Sequence, residues 1–118
     1  MRKFMISVRH LDDEWERLTP SEQEEHGGFL KDFVQALHER GSELVFLHPP
    51  ASAKSVRKHR DGHIGVSDGA VDSGPEPVGC YFTLEAETLE EAVAWAEKGR
   101  WMIGVNEVRE IFTGPLPG

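Results

Sequence analysis

Two stretches of this sequence carry the same local instruction for starting a helix, and together they restrict the fold more than any other feature. Thr19-Pro20-Ser21-Glu22 supplies a capping threonine, a proline at the first helical position and a glutamate at the third. Thr88-Leu89-Glu90-Glu91 repeats the threonine and the glutamate three residues on. After the first start, the acidic and amide run Glu22 to Glu25 favours the positive end of a helix dipole. Phe29, Leu30, Phe33, Val34 and Leu37 then recur at helical spacing, which buries one face, and Gly41 after Arg40 is a natural stop. His26 precedes Leu30 by four residues and Phe33 by seven, so it belongs to that face. In the second helix the buried stripe reads Leu89, Ala92, Val93 and Ala96, with Trp95 beside it and Gly99 as the stop.

Strand signals surround both helices. Residues 3–9 alternate, with Phe4, Ile6 and Val8 on one side and Met5 on the other, which suits a central strand. Residues 10–18, with Trp15 and Leu18, read as a loop. Leu44 to Leu47 is a buried strand closed by Pro49-Pro50. Residues 53–59 and 63–67 flank Asp61-Gly62, a strong hairpin signal. A two-residue turn there would set Arg60 opposite His63 and His59 opposite Ile64. Ser67 to Pro77 is a long loop containing Asp68, Asp72 and Glu76. Val78 to Leu84 is a further strand in which Gly79 permits close backbone approach, and Val105 to Phe112 is the last.

The resulting order is β-α-β, a hairpin, then β-α-β, as one domain over residues 1–113 with a tail at 114–118. Two one-sided helices cover one face of an antiparallel sheet. Met5, Val45 or Phe46, and Tyr81 or Phe82 place apolar groups on the other face. Self-association buries that face; a merely amphipathic face would leave a monomer.

Composition narrows the function classes. The chain has 118 residues and a formal net charge of −8, which disfavours phosphate backbones as partners. Its local basic cluster, Lys54, Arg57, Lys58, His59 and Arg60, lacks interleaved aromatics and reads as a solvated strand face. No apolar run approaches a membrane span, and the start lacks a signal-peptide core. One cysteine, Cys80, allows no internal disulfide, and a reducing, cytoplasmic setting is expected. Of the six histidines, His59 and His63 lie four apart but flank a hairpin turn on two strands, which fits no standard zinc site, so neither a metal nor a cofactor is expected.

Leu18-Thr-Pro-Ser-Glu-Gln23, His59-Arg-Asp-Gly-His63 with Val66-Ser-Asp-Gly69, Gly79-Cys-Tyr-Phe-Thr-Leu-Glu-Ala86 and Leu89-Glu-Glu-Ala-Val-Ala-Trp-Ala96 resemble, in order and spacing, the YCII-related (DGPF) family. The resemblance covers residues 3 to 112. It implies a ferredoxin-like α+β barrel formed by dimerisation, with a pocket between the sheet and the first helix and a catalytic histidine–aspartate pair. The family histidine corresponds to His26. The family aspartate lies after the second helix, where this sequence has Lys98-Gly99-Arg100-Trp101 and no carboxylate. Of the DGPF signature, Asp68-Gly69 remain, while Ala70-Val71 stand in place of proline and phenylalanine.

Two functions from different classes follow. In one, His26 transfers a proton in lyase-, isomerase- or hydrolase-type chemistry and Asp68 orients it. In the other, the chain is a non-catalytic small-molecule-binding or regulatory module that has lost the pair. Oxygenase chemistry rests on fold analogy alone. In either case Tyr81, Arg100 and Trp101 are the candidate ligand contacts, with Trp95 a further aromatic at the pocket or in the core. The expected partners are a second copy of the chain and an unidentified small molecule, with no nucleic acid and no membrane. Cys80 reads as a buried inert thiol.

Overall fold

A computed structural model describes residues 1–10, 15–71, 77–99 and 104–117. Its elements are β1 (Arg2–Arg9), α1 (Pro20–Glu39), β2 (Val45–Phe46), β3 (Lys54–Lys58), β4 (Ile64–Asp68), β5 (Val78–Ala86), α2 (Leu89–Lys98) and β6 (Val105–Glu110), with a short 3₁₀ turn at Pro50–Ser52. Four strands form an antiparallel sheet in the order β2-β5-β1-β6, and β3 with β4 forms a separate hairpin. The protein is therefore α+β.

α1 begins as its sequence specifies, whereas α2 forms only the threonine half of the capping box, because Glu91 Oε2 accepts from the Glu87 N–H instead. The Thr19 hydroxyl accepts from the Glu22 N–H at 3.2 Å, and Glu22 Oε1 accepts from the Thr19 N–H at 2.9 Å. Thr88 accepts from the Glu91 N–H at 3.1 Å. At the end of α1, Gly41 adopts φ +75°, the Gly41 N–H bonds Leu37's neighbour His38 at 3.0 Å, and the Ser42 N–H bonds Leu37 O at 2.9 Å. This is a Schellman turn, which satisfies carbonyls the helix cannot satisfy itself and throws the chain back toward the sheet.

Register decides which strand faces meet. Phe4 pairs with Leu84, Ile6 with Phe82 and Val8 with Cys80, and all six are buried on the helix side. Phe33 and Leu37 of α1 and Ala92 and Trp95 of α2 close that core. Phe82 and Phe33 meet edge to face at 5.5 Å, and Phe33 and Trp95 at 6.2 Å. Arg40 locks the layers at one corner: its Nη2 donates to Glu85 O at 2.6 Å and to Glu91 at 3.3 Å.

Two expectations about the helices need correction, and the alternatives left open on the sheet are decided. The buried face of α2 is Ala92 and Trp95, while Leu89 and Val93 remain 42% and 38% exposed. Trp95 offers far more apolar area than either and takes the place against Phe33. On α1, Phe29 and Val34 are likewise exposed. On the sheet, Met5, Val45 and Tyr81 share the open face, whereas Phe82 is in the core and Phe46, opposite Cys80, is on the helix side at the edge.

The hairpin register also differs by one residue: Lys58 faces Ile64 and Val56 faces Val66. The turn has three residues rather than two, because Gly62 alone takes positive φ (+92°), its N–H bonds His59 O at 3.0 Å, and Asp61 Oδ1 accepts from the His63 N–H at 2.8 Å. With side chains alternating every residue, this shift gathers Val56, Val66 and Ile64 on one face.

Candidate functional site

The open face of the sheet carries a row of side chains set directly side by side. Glu107 pairs with Ser7, Ser7 with Tyr81, and Tyr81 with Val45. Tyr81 and Ser7 are half-buried although no helix covers them. At the β2 end of this row lies an open recess of about 380 Å³, whose lining includes Tyr81, Thr83, Val45, His38, Ser42 and Glu43.

The recess exists because of the Schellman turn. Gly41 turns the chain so that Ser42 and Glu43 come down beside β5, and Ser42 Oγ donates to Thr83 O, pinning the loop there. Val45 supplies an apolar floor; Tyr81, Thr83, His38 and Glu43 supply hydrogen-bonding groups and one carboxylate. That mixture suits a small, uncharged or cationic organic molecule better than an anion.

The candidate residues do not converge. Tyr81 lines the recess; His26 and Asp68 do not. Asp68 ends β4 and forms an ion pair with Lys54 on β3. His26 is half-buried in α1, close enough to Glu22 to add to the lowering of its carboxyl pKa, a shift due first to the Thr19 backbone N–H. No hydrogen bond or ion pair joins His26 to Asp68. Arg100, Trp101 and the loop acids Asp72 and Glu76 lie outside the described residues. Trp95 is core, with Lys98 Nζ 4.2 Å from the centre of its ring.

The sequence reading missed two features. His38 and Ser42 reach the recess through a turn that Gly41 signals, but nothing local indicates that the turn lands beside Thr83. His10 is the other: a Cβ at Gly79 would fall 2.0 Å from His10 Nε2, so the close approach that Gly79 permits is by an imidazole ring and not by backbone.

No family model matches the sequence. No curated protein matches it either. Among the described residues, no group of three or more histidine, cysteine or acidic side chains is placed to hold a metal ion, and no helix is long and apolar enough to cross a membrane.

Cys80 is buried between Val8 and Phe46 on the core side, and burial pushes its thiol up to about 11 from 9.0. The thiol is therefore protonated and inert near neutrality. In the unfolded chain it ionises at its ordinary value, so unfolding releases a proton between that value and about 11. The contribution is present below pH 9.0 and is lost as pH rises toward about 11. Alkaline urea titrations should show the native protein losing stability through this window more steeply than Cys80→Ala; parallel profiles would refute the assignment.

Proposed function

We propose that the chain is a YCII-related protomer of ferredoxin-like architecture. It pairs with a second copy through its open sheet face and holds a small organic molecule in the Tyr81 recess, as a binding module without the family's histidine–aspartate chemistry. The architecture is supported by the strand order: β1 is central, β5 and β6 flank it, β2 is outermost, and each helix leads out of a strand of that sheet. Pairing is supported by Met5, Val45 and Tyr81 on a face that no helix covers. A second copy on that face would close the open side of the recess and exclude water from it.

One observation carries the preference for binding over catalysis: the Asp68 carboxylate is held by Lys54 on the hairpin, apart from His26. A general base needs its orienting carboxylate within hydrogen-bond reach. Tyr81 is instead the candidate side chain that lines a recess.

A thermal-shift screen of small metabolites on the native protein, Tyr81→Ala and His26→Ala tests this. A bound ligand at about 100 times its Kd adds about 2.7 kcal/mol of stability. The melting temperature should then rise by roughly 10 °C in the native protein and in His26→Ala, and the rise should be lost in Tyr81→Ala. A rise lost in His26→Ala but kept in Tyr81→Ala would overturn the reading in favour of a site at His26.

A further inference from the structure

The hairpin of β3 and β4 stands apart from the domain that bears it. The two strands form a sheet of their own, separate from the four-stranded sheet, and give no residue to the hydrophobic core. The radius of gyration is 16.8 Å, against about 13.5 Å for a compact chain of this length. The longest dimension is 53 Å, although the nine residues of β5, the longest strand, span only about 30 Å. On one face of this arm lie Val56, Ile64 and Val66, which are 57%, 61% and 65% exposed. A two-stranded hairpin is marginal in water by itself, and three β-branched side chains on a single face need cover.

The arm also differs in charge from the rest of the chain. Lys54, Arg57, Lys58 and Arg60 outnumber Asp61 and Asp68 within it, in a chain whose formal net charge is −8. A basic, apolar arm on an acidic body complements another copy of that body. The matching surface is the groove of about 420 Å³ between α2 and β6, lined by Leu89, Val93, Ala96, Glu97 and Val108 among others. Leu89 and Val93 in it are exposed while Ala96 and Val108 pack against the core, and Glu97 lies on it with Glu90 seven residues earlier on the same side of α2. β6 is an edge strand, so the groove is open from that side. The open sheet face fits less well, because there Lys3, Arg9 and Arg109 offset Glu85 and Glu107.

We infer that the β3–β4 arm of each protomer docks into the α2–β6 groove of a second copy. Val56, Ile64 and Val66 then cover Leu89, Val93 and Val108, and Lys58 lies against Glu97. The exchange is reciprocal, so one two-fold axis closes the dimer and leaves no free arm. This inference rests on the reading that the chain self-associates, and it adds an arm contact to the pairing through the open sheet face.

Sedimentation velocity on the full chain separates the two. The native protein should sediment at about twice its 13.2 kDa mass. Val56→Asp with Val66→Asp, and separately Val93→Arg, should each raise the dimer dissociation constant roughly 30-fold or more. Far-UV circular dichroism should be unchanged, since none of these side chains is in the core. Lys58→Glu and Glu97→Lys should each weaken the dimer roughly 3–5-fold, and the double variant should recover it. A native dimer that the arm variants leave intact would overturn arm docking while self-association stands. Dissociation by the arm variants but not by Val93→Arg would overturn the groove as the receiving surface. A monomeric native chain would overturn both readings.

Discussion

Replacing Phe82 with alanine is expected to lower the melting temperature by roughly 12–20 °C. Phe82 is fully buried at the centre of β5, opposite Ile6 and edge to face with Phe33. Truncating such a ring removes its burial and leaves a cavity, together about 3–5 kcal/mol. In a domain of this size each kcal/mol moves the melting temperature by about 4 °C. The cavity cannot collapse easily, because its walls belong to three different elements: β1, α1 and α2, the last through Trp95 against Phe33. Phe46→Ala is the matched comparison. Phe46 is 56% exposed at the sheet edge, and its truncation should cost less than about 1 kcal/mol. A small effect at Phe82, measured by calorimetry or urea unfolding, would mean that the core is not centred where β1, β5 and the helices meet.

Gly104→Ala should be nearly as damaging, for a reason that lies in the backbone. Gly104 leads into β6 with φ +134°, a conformation that side chains rarely adopt. A Cβ built there would lie 2.0 Å from the Arg9 carbonyl oxygen and 3.0 Å from its carbon. Backbone cannot swing aside as a side chain can, so β6 must shift away from the end of β1. We expect a loss of about 2–4 kcal/mol, with the first signs in the amide resonances of Arg9 and Val105. Gly79→Ala gives the contrast. The clash there is equally short, but it is with the far end of the His10 ring, which can rotate away. Its cost should stay near 1 kcal/mol. Equal losses at the two positions would show that His10 is held far more tightly than its position suggests.

The helices were legible because their instructions are local. A threonine, a proline and a glutamate in four residues define the start of α1 wherever the helix then packs, and Gly41 defines its end. Which side of α2 is buried was not legible. Leu89, Ala92, Val93 and Ala96 make a regular stripe, and only the distant Phe33 explains why Trp95 turns inward and Leu89 and Val93 outward. The hairpin shows the same division. Asp61-Gly62 marks the turn, but its length depends on whether the Asp61 side chain takes up the His63 N–H, and that choice moves every facing pair by one. Of the candidate site, Tyr81 could be read as an aromatic on a strand. Its neighbours in the recess could not, since Ser42 meets Thr83 across 41 positions of chain. The resemblance to YCII-related proteins directed attention to His26 and Asp68, yet a shared Asp-Gly dipeptide says nothing about Lys54 fourteen residues earlier.

The position of β1 in the sheet bears on how the protein is made. β1 is paired on one side by β5 and on the other by β6, both of which come much later in the chain. Phe4, Ile6 and Val8 therefore stay without their partners until residues beyond 78 have been synthesised. Until then α1, which carries its own start and stop signals and places Phe33 and Leu37 in that core, can shelter them. Folding is held back by the long-range pairing of β1 and not by the local turns. A destabilised variant is expected to aggregate through the exposed β1 during synthesis before it unfolds in the finished protein.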